Sequence, residues 1–320
     1  MKEMINKVFN EDCLETMNRI DDKSINLIIA DFPYFEVKGD FDFIWKSFDE
    51  FLEWVEVCAK EFKRILADNG SLYVFVHAKK IAYKQIIFDK YFNIENHIIW
   101  DKFDSQTKKG IEYCRSFAPV KEHILFYSNS LDLKNNPISL YLRSEFARAK
   151  VSSREIAELF PSKTGGLTGC VSNWLNGDNV ITKEQYIKIK TYLDDNFLQE
   201  EYDILLHSYN NFIRPFNNVT FTDILSFSQE ANITGKYNHP TQKPPKLTRT
   251  LIETSTNKNS VVYIPFGGSG TELEQCHLLN RRYIGSELEK KYCDIIEDRI
   301  KNAKGEVGLF SEEMIQGSLF

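Results

Sequence analysis

Short, almost wholly apolar runs alternate with amphipathic stretches along the first third of the chain. Residues 25–30 and 71–76 have the length and composition of buried strands, the second preceded by Asn69-Gly70 and followed by His77. Between them, Phe48, Phe51, Leu52, Val55, Ala59, Phe62, Ile65 and Leu66 recur at three- and four-residue intervals, which predicts a helix over 48–66. Residues 78–91 repeat the helical spacing, and Ile94–Trp100 and His123–Tyr127 read as further strands. After about residue 130 the pattern becomes helical: two segments within 139–160, a turn at Gly165-Gly166, a short segment 167–175, and a helix over 182–196. A break at 235–240 precedes renewed alternation: helix 245–255, strand 260–264, a glycine turn, helix 271–280, strand 283–286 and helix 289–302. The expected fold is α/β, a doubly wound, mostly parallel sheet built from 1–130 and 235–304. A largely helical region, 131–234, is inserted, and 305–320 forms an extended tail.

Composition changes this picture little. The chain has 320 residues, 42% hydrophobic and 27% charged, an ordinary balance for a globular protein. A formal charge of −6 advertises no global attraction to polyanions, so a nucleic-acid partner requires a local basic face. The cysteines at 13, 58, 114, 170, 276 and 293 show no Cys-x-x-Cys pair and no Cys/His ligand spacing. Free thiols in a reducing cytosol are expected, and no metal site. The opening Met1-Lys2-Glu3-Met4 lacks signal-peptide character, and no apolar run approaches the roughly 20 residues that span a bilayer. A cytoplasmic protein with no membrane partner is expected.

Two stretches carry chemistry. In Val261–Thr271 a strand runs through Pro265-Phe266 into Gly267-Gly268-Ser269-Gly270 and a helix start, and glycines there permit close approach of a ligand to the backbone. Glu287 ends the next strand 20 residues after Gly267, the distance at which a doubly wound fold places an acid on ribose hydroxyls. The turn lacks the full spacing of a dinucleotide fingerprint. The second stretch closes the strand 25–30 with Asp31-Phe32-Pro33-Tyr34-Phe35. Ligands of parallel sheets bind outside the carboxyl ends of the strands, so both stretches converge on one crevice if they share a sheet.

Asp31-Phe32-Pro33-Tyr34 resembles the Asp-Pro-Pro-Tyr catalytic loop of amino-group DNA methyltransferases dependent on S-adenosyl-L-methionine, and the order of motifs is that of their permuted beta group, found in restriction-modification systems. Phe266–Thr271 resembles the cofactor turn, Ile284-Gly285-Ser286-Glu287 the ribose-binding strand end, and His239–Pro244 the motif preceding the turn. Asn10-Glu11-Asp12-Cys13 resembles the acid-bearing stretch near the cofactor's adenine. The resemblance covers roughly 7–130 and 236–303. It implies Asp31, Phe32, Pro33 and Tyr34 as catalytic, and Asp12, Cys13, Asp31, Lys243, Pro265, Phe266, Gly267, Gly268, Ser269, Gly270, Thr271 and Glu287 as cofactor-binding. Two departures stand out: Ile264 replaces an acid that helps hold the cofactor's ammonium group, and Phe32 replaces a proline.

Within this resemblance, Asp31 and the Phe32 carbonyl would accept from both N–H groups of a target amine, localising its lone pair. Tyr34 would stack on a base flipped out of double-stranded DNA, with Phe35 or Phe41 on its other face. The acid at position 31 favours N6-adenine, with N4-cytosine as the alternative. Region 131–234 is the expected target reader: Ser152 and Glu155 open a helix with a capping box, and 168–175 follows in the manner of a helix-turn-helix. Arg143, Arg148, Arg154, Asn173, Lys108 and Lys109 are the expected DNA contacts, and Lys79, Lys80, Lys150, Lys163 and Arg115 further candidates. His77 and His239 are read as structural. A separately acting restriction endonuclease and a homodimer are compatible partners. Two other classes compete: a nucleotide-dependent oxidoreductase, which gives Asp31–Tyr34 no task, and a non-catalytic DNA-binding regulator, favoured by the acid missing at 264.

Overall fold

A computed structural model describes residues 1–35, 44–102, 120–194, 196–217, 222–228 and 242–303. The chain divides into two compact units, Met1–Ser130 with Pro215–Phe320, and Leu131–Arg214. Among the described residues the first unit has eight strands: β1 Lys7–Phe9, β2 Ile25–Asp31, β3 Leu66–Val76, β4 Asn93–Asp101, β5 Lys121–Ser128, β6 Ile224–Ser226, β7 Val261–Ile264 and β8 Arg282–Ser286. Their order is β1-β8-β7-β2-β3-β5-β4-β6, parallel except where β5 pairs with β3 and β4. Helices α1 Cys13–Met17, α2 Phe48–Ile65 and α3 Ile81–Phe88 precede the second unit. That unit holds α4 Pro137–Ala149, α5 Ser153–Glu158, α6 Cys170–Asn176, α7 Lys183–Leu193 and α8 Tyr202–Phe212. Helices α9 Pro245–Ser255, α10 Thr271–Leu278 and α11 Lys290–Asn302 complete the first unit.

The period of two along β2 explains the layering. Ile28 and Ala30 face one core with Phe51, Val55 and Phe62 of α2 and Phe88 of α3. Leu27 and Ile29 face the other, with Leu247 and Leu251 of α9, Leu273 of α10 and Ile296 of α11. Because both faces are covered, the strand is apolar from Leu27 to Ala30, which is why it reads as a nearly continuous run. Helix α2 begins where Ser47 accepts from the Glu50 amide at 3.1 Å, and acids in its first turn with Lys63 and Arg64 in its last suit its dipole.

The expected doubly wound α/β architecture is present, with differences at element ends. β3 starts at Leu66, five residues before the expected strand, because Asn69-Gly70 is a bulge within it and not its boundary: Ile25 pairs Leu66, yet Leu27 pairs Ser71. Residues 78–80 form a 3-10 turn ahead of α3. The sequence pattern showed neither β1, β6, α1 nor α8. β1 and β6 are three residues long, too short for alternation to register. The second unit ends at Arg214 and not at 234, and residues 224–226, expected to belong to the inserted region, form β6, which pairs in parallel with β4 through Ile99 and Ile224. The Ser152–Glu155 capping box is present, and Thr182 with Gln185 forms another.

The turn from β7 to α10 is shaped by packing against α11. A Cβ on Gly267 would meet Ile296 Cδ1 at 2.9 Å, and one on Gly270, at φ +81°, would meet Ile296 Cγ1 at 2.8 Å. Arg299 of α11 is buried, donating to Glu274 at 2.8 Å and to the Ser269 carbonyl at 3.3 Å. Glu272, also buried, is pushed up to about 7 by burial, with the charge of Asp31 adding to the effect.

Two outcomes follow. Gly270→Ala combines a left-handed backbone with overpacking and should destabilise by about 2–5 kcal/mol, read from urea midpoints. In the unfolded chain Glu272 ionises above its ordinary 4.5, but in the folded protein only above about 7. Stability therefore falls as pH rises through that window, by roughly 3 kcal/mol in full. Glu272→Gln should gain on the wild type at about pH 8 and not at about pH 4; an equal difference at both would reject this account.

Candidate active site

Asp31 sits at the carboxyl end of β2, beside Phe75 of β3. Its Oδ1 accepts from the Tyr34 hydroxyl at 2.9 Å, and its Oδ2 lies 2.7 Å from Lys243 Nζ. Lys243 Nζ also donates to the Tyr34 hydroxyl at 3.0 Å and lies 3.4 Å from Glu122 Oε2. Lys243 is only 3% exposed. Burial works to lower its pKa, but Asp31 and then Glu122 outweigh it and hold the ammonium well above its usual range. Burial, then the charge of Asp31, raises the Tyr34 phenol, so it stays neutral at physiological pH. Burial works to raise Glu122, yet Lys243 and Lys102 bring the carboxyl down to about 2.

Phe32 points away from this cluster into the core. Its ring lies 4.9 Å from Phe266, 5.7 Å from Trp54 and 5.9 Å from both Phe62 and Phe88. The loop that follows is held through its carbonyls: buried Lys84 of α3 donates to Pro33 at 3.3 Å, and Lys80 to Phe35 at 2.8 Å. Phe35 has φ +57°, an uncommon state for a bulky residue, and its ring lies between Phe48, Phe51 and the Lys80 ammonium.

Asp31, Pro33 and Tyr34 border a cavity of about 540 Å³, within the roughly 300–1,000 Å³ of small-molecule sites. Its apolar wall includes Trp45, Trp54, Pro265 and Phe266, and its acids are Glu11, Asp12, Asp31, Glu287 and Glu289. The Glu287 carboxylate accepts from the amides of Gly268 at 2.7 Å and Glu289 at 2.8 Å, while burial raises its pKa. β1 explains how residues 10–13 arrive here. It pairs with β8, and Asn10 Nδ2 donates to the carbonyls of Glu287 and Leu288 at 3.0 and 2.8 Å. Asp12 caps α1 through the Leu14 amide, and the Tyr263 hydroxyl donates to the Cys13 carbonyl at 3.1 Å.

Of the residues expected to hold a cofactor, Asp12, Cys13, Asp31, Pro265, Phe266, Gly268 and Glu287 line this cavity. Lys243, Gly267, Ser269, Gly270 and Thr271 do not. Gly267 and Gly270 serve the fit of α11, and Lys243 is enclosed by Asp31, Tyr34 and Glu122. Thr271 Oγ1 is buried without a hydrogen-bond partner. Arg143 is occupied inside the second unit by the carbonyls of Leu175 and Lys134, each at 2.6 Å. Arg148 is likewise held by Glu145 and the Asn196 carbonyl. Arg154 is exposed on α5, and Asn173 is half-buried on α6. Lys80 belongs to the loop clamp, and His77 caps the 3-10 turn, accepting from the Lys79 amide at 3.3 Å. Lys108, Lys109, Arg115, Phe41 and His239–Thr241 lie outside the described residues. The sequence pattern does not single out Trp45, Trp54, Lys84, Glu122 or Lys102; Trp54 lies within α2, outside the apolar positions that predict that helix.

A family model described as DNA methylase matches residues 25–298. Among curated relatives, the Type II methyltransferase M.HinfI of Haemophilus influenzae is 28% identical, over 95% of this chain and 72% of its own length. The Type II methyltransferase M.BamHI of Bacillus amyloliquefaciens is 26% identical over 93% and 57%, and the DNA adenine methyltransferase YhdJ of Escherichia coli strain K12 is 23% identical over 89% and 79%. The fold is shared with the PvuII cytosine-N4-specific DNA methyltransferase, with a TM-score of 0.55 at 15% identity over 97% of this chain and 90% of that one. The chain belongs to the N6/N4 family of DNA methylases.

Proposed function

We propose that this chain transfers the methyl group of S-adenosyl-L-methionine to the N6 amino group of an adenine flipped out of double-stranded DNA. The observation that carries the reading is the Asp31 carboxylate at the edge of an acid-lined cavity, fixed through both oxygens by Lys243 and Tyr34. The residues present suit this cofactor. Its sulfonium and ammonium charges match five carboxylates on the wall, and its adenine matches the aromatic and apolar side formed by Trp45, Trp54 and Phe266. Glu287 is the candidate acceptor for the ribose hydroxyls. When bound, S-adenosyl-L-methionine supplies an activated methyl group to an aligned nucleophile.

The chain's own residues supply the alignment. Each oxygen of Asp31 keeps a lone pair after accepting once, so the carboxylate can take one N–H of the target amine in a charge-assisted hydrogen bond. The Phe32 carbonyl is the candidate for the second. Accepting both bonds localises the nitrogen lone pair, and the nearby negative charge favours the nitrogen as it becomes cationic. Tyr34, its hydroxyl engaged by Asp31 and Lys243, presents a ring of fixed orientation to a stacked base.

An acid at position 31 favours adenine, and the relatedness to YhdJ supports that choice; N4-cytosine is the alternative product. The kinship with M.HinfI and M.BamHI supports a restriction-modification setting, with a separate endonuclease, a homodimer and a cytoplasmic location as parts of the same reading. Among the described residues no helix is long and apolar enough to cross a membrane. For target recognition the second unit is the candidate, through the exposed Arg154 and through Asn173 on α6.

Asp31→Asn should lower kcat at least about 100-fold with S-adenosyl-L-methionine binding retained in calorimetry; full turnover would remove Asp31 from the chemistry. Nucleoside mass analysis of DNA from a methylation-free host expressing the chain should show N6-methyladenine, and N4-methylcytosine would replace that choice. Phe32→Ala should destabilise by about 3–5 kcal/mol, since it empties a buried ring site between the loop and the cofactor turn; unfolding in urea checks this.

A further inference from the structure

The cluster behind Asp31 extends further than methyl transfer as outlined requires. Glu122 is the second residue of β5, the one strand antiparallel to both its neighbours. Antiparallel placement brings its beginning to the edge where β2 and β3 end: Glu122 precedes His123, which pairs with Val76, and Asp31 pairs with Phe75. Trp100 of β4 pairs with Glu122, and two residues on, Lys102 forms an ion pair with Glu122 Oε1. Lys102 is itself 8% exposed, its ammonium 4.5 Å from the centroid of the Trp100 ring. Four charges therefore alternate in sign, Lys102, Glu122, Lys243 and Asp31, from β4 through β5 to the loop before α9 and the end of β2.

Among the described residues, Asp31 and Glu122 are the acids within ion-pair distance of Lys243. With Asp31 alone, the ammonium would be free to move along the carboxylate or displace the Tyr34 hydroxyl. Glu122, as a second carboxylate 3.4 Å from the ammonium, makes that movement unfavourable, because a cation this buried has no water to fall back on. The geometry points to Glu122, backed by Lys102, as a positioning residue for methyl transfer: it fixes Lys243 on one oxygen of Asp31 and leaves the remaining lone pairs facing the cavity. This rests on the role proposed for Asp31. Among the described residues, the other charged or titratable groups nearby are Tyr34, His77 at the end of β3, Lys84 of α3, His123 beside Glu122 on β5, and Glu272 of α10.

The test uses the full chain with radiolabelled S-adenosyl-L-methionine and DNA from a methylation-free host. Glu122→Gln should lower kcat by about 10–100-fold with cofactor affinity within about twofold, as misplacement of a reacting group does. Losing one of its two anions, Lys243 should release its proton at lower pH, so the alkaline limb of the kcat profile moves toward neutrality. Because Glu122→Gln strands Lys102 in a buried place, Glu122→Gln with Lys102→Met serves as the second variant: folding stability should recover and kcat should not. A crystal structure of the double variant gives a reading independent of turnover, in which the Lys243–Asp31 contact of 2.7 Å is lost or moves to the other oxygen. Recovery of kcat together with stability, an unmoved pH profile, or an unchanged contact would each overturn the proposal. A wild-type chain inactive on any DNA would instead count against the function proposed above, and the crystallographic arm would still decide the part played by Glu122.

Discussion

A buried ammonium has to be paired, and the whole site is arranged around that constraint. Lys243, almost without solvent, comes from a segment more than two hundred residues beyond Asp31 in the chain, so their contact closes the molecule as well as forming a site. Removing Asp31 leaves the buried ammonium with Glu122 at 3.4 Å in place of a contact at 2.7 Å, and breaking buried pairs outright costs about 3–5 kcal/mol. The pair therefore couples folding to the geometry of the loop: Lys243 can be accommodated only when the end of β2, the start of β5 and the segment before α9 are all in place.

The same loop is fixed from below by apolar contact. A proline at position 32 would restrict its own φ; phenylalanine does not, and the restraint has been moved from the backbone to the side chain. Phe32 enters a ring cluster shared with Phe266, the residue just before the glycine turn, so the catalytic loop and the proposed cofactor turn share one core. Lys84 and Lys80 complete the restraint by holding the carbonyls of Pro33 and Phe35, the latter in a left-handed conformation that a free loop would abandon. A backbone constrained at 33 and 35 and anchored at 32 leaves Asp31 little freedom except through its own side-chain torsions.

How far the sequence reveals this depends on whether a feature is local. The strand ending in Asp31, the glycine turn and the acid at 287 are legible because each is a short motif whose spacing reflects local geometry. The helical character of 137–193 is legible through periodicity and the Ser152 capping box. Glu122 and Lys102 are not, since their meeting with Lys243 depends on β5 running antiparallel, which nothing in His123–Tyr127 announces. The arginines illustrate the converse. Arg143 and Arg148 read as free cations, but each is needed to satisfy carbonyls or Glu145 within the second unit. Helical spacing cannot distinguish a guanidinium facing solvent from one folded back onto its own unit.

Ile264 bears on the choice between enzyme and regulator. On sequence, the missing acid was the strongest argument for a chain that had given up its cofactor. Ile264 is buried among Leu273, Ile296 and the residues of α9, where its side chain completes an apolar core. The change is therefore accommodated on the face of β7 turned away from Phe32 and Tyr263. Meanwhile Asp12, Asp31 and Glu287 still line the cavity, and Glu272 places a further buried carboxyl close enough to Asp31 and Lys243 for their charges to act on it. A site that had lost its ligand would have little reason to keep a buried lysine paired with two carboxylates. The retained charge, more than the one lost, speaks for an enzyme.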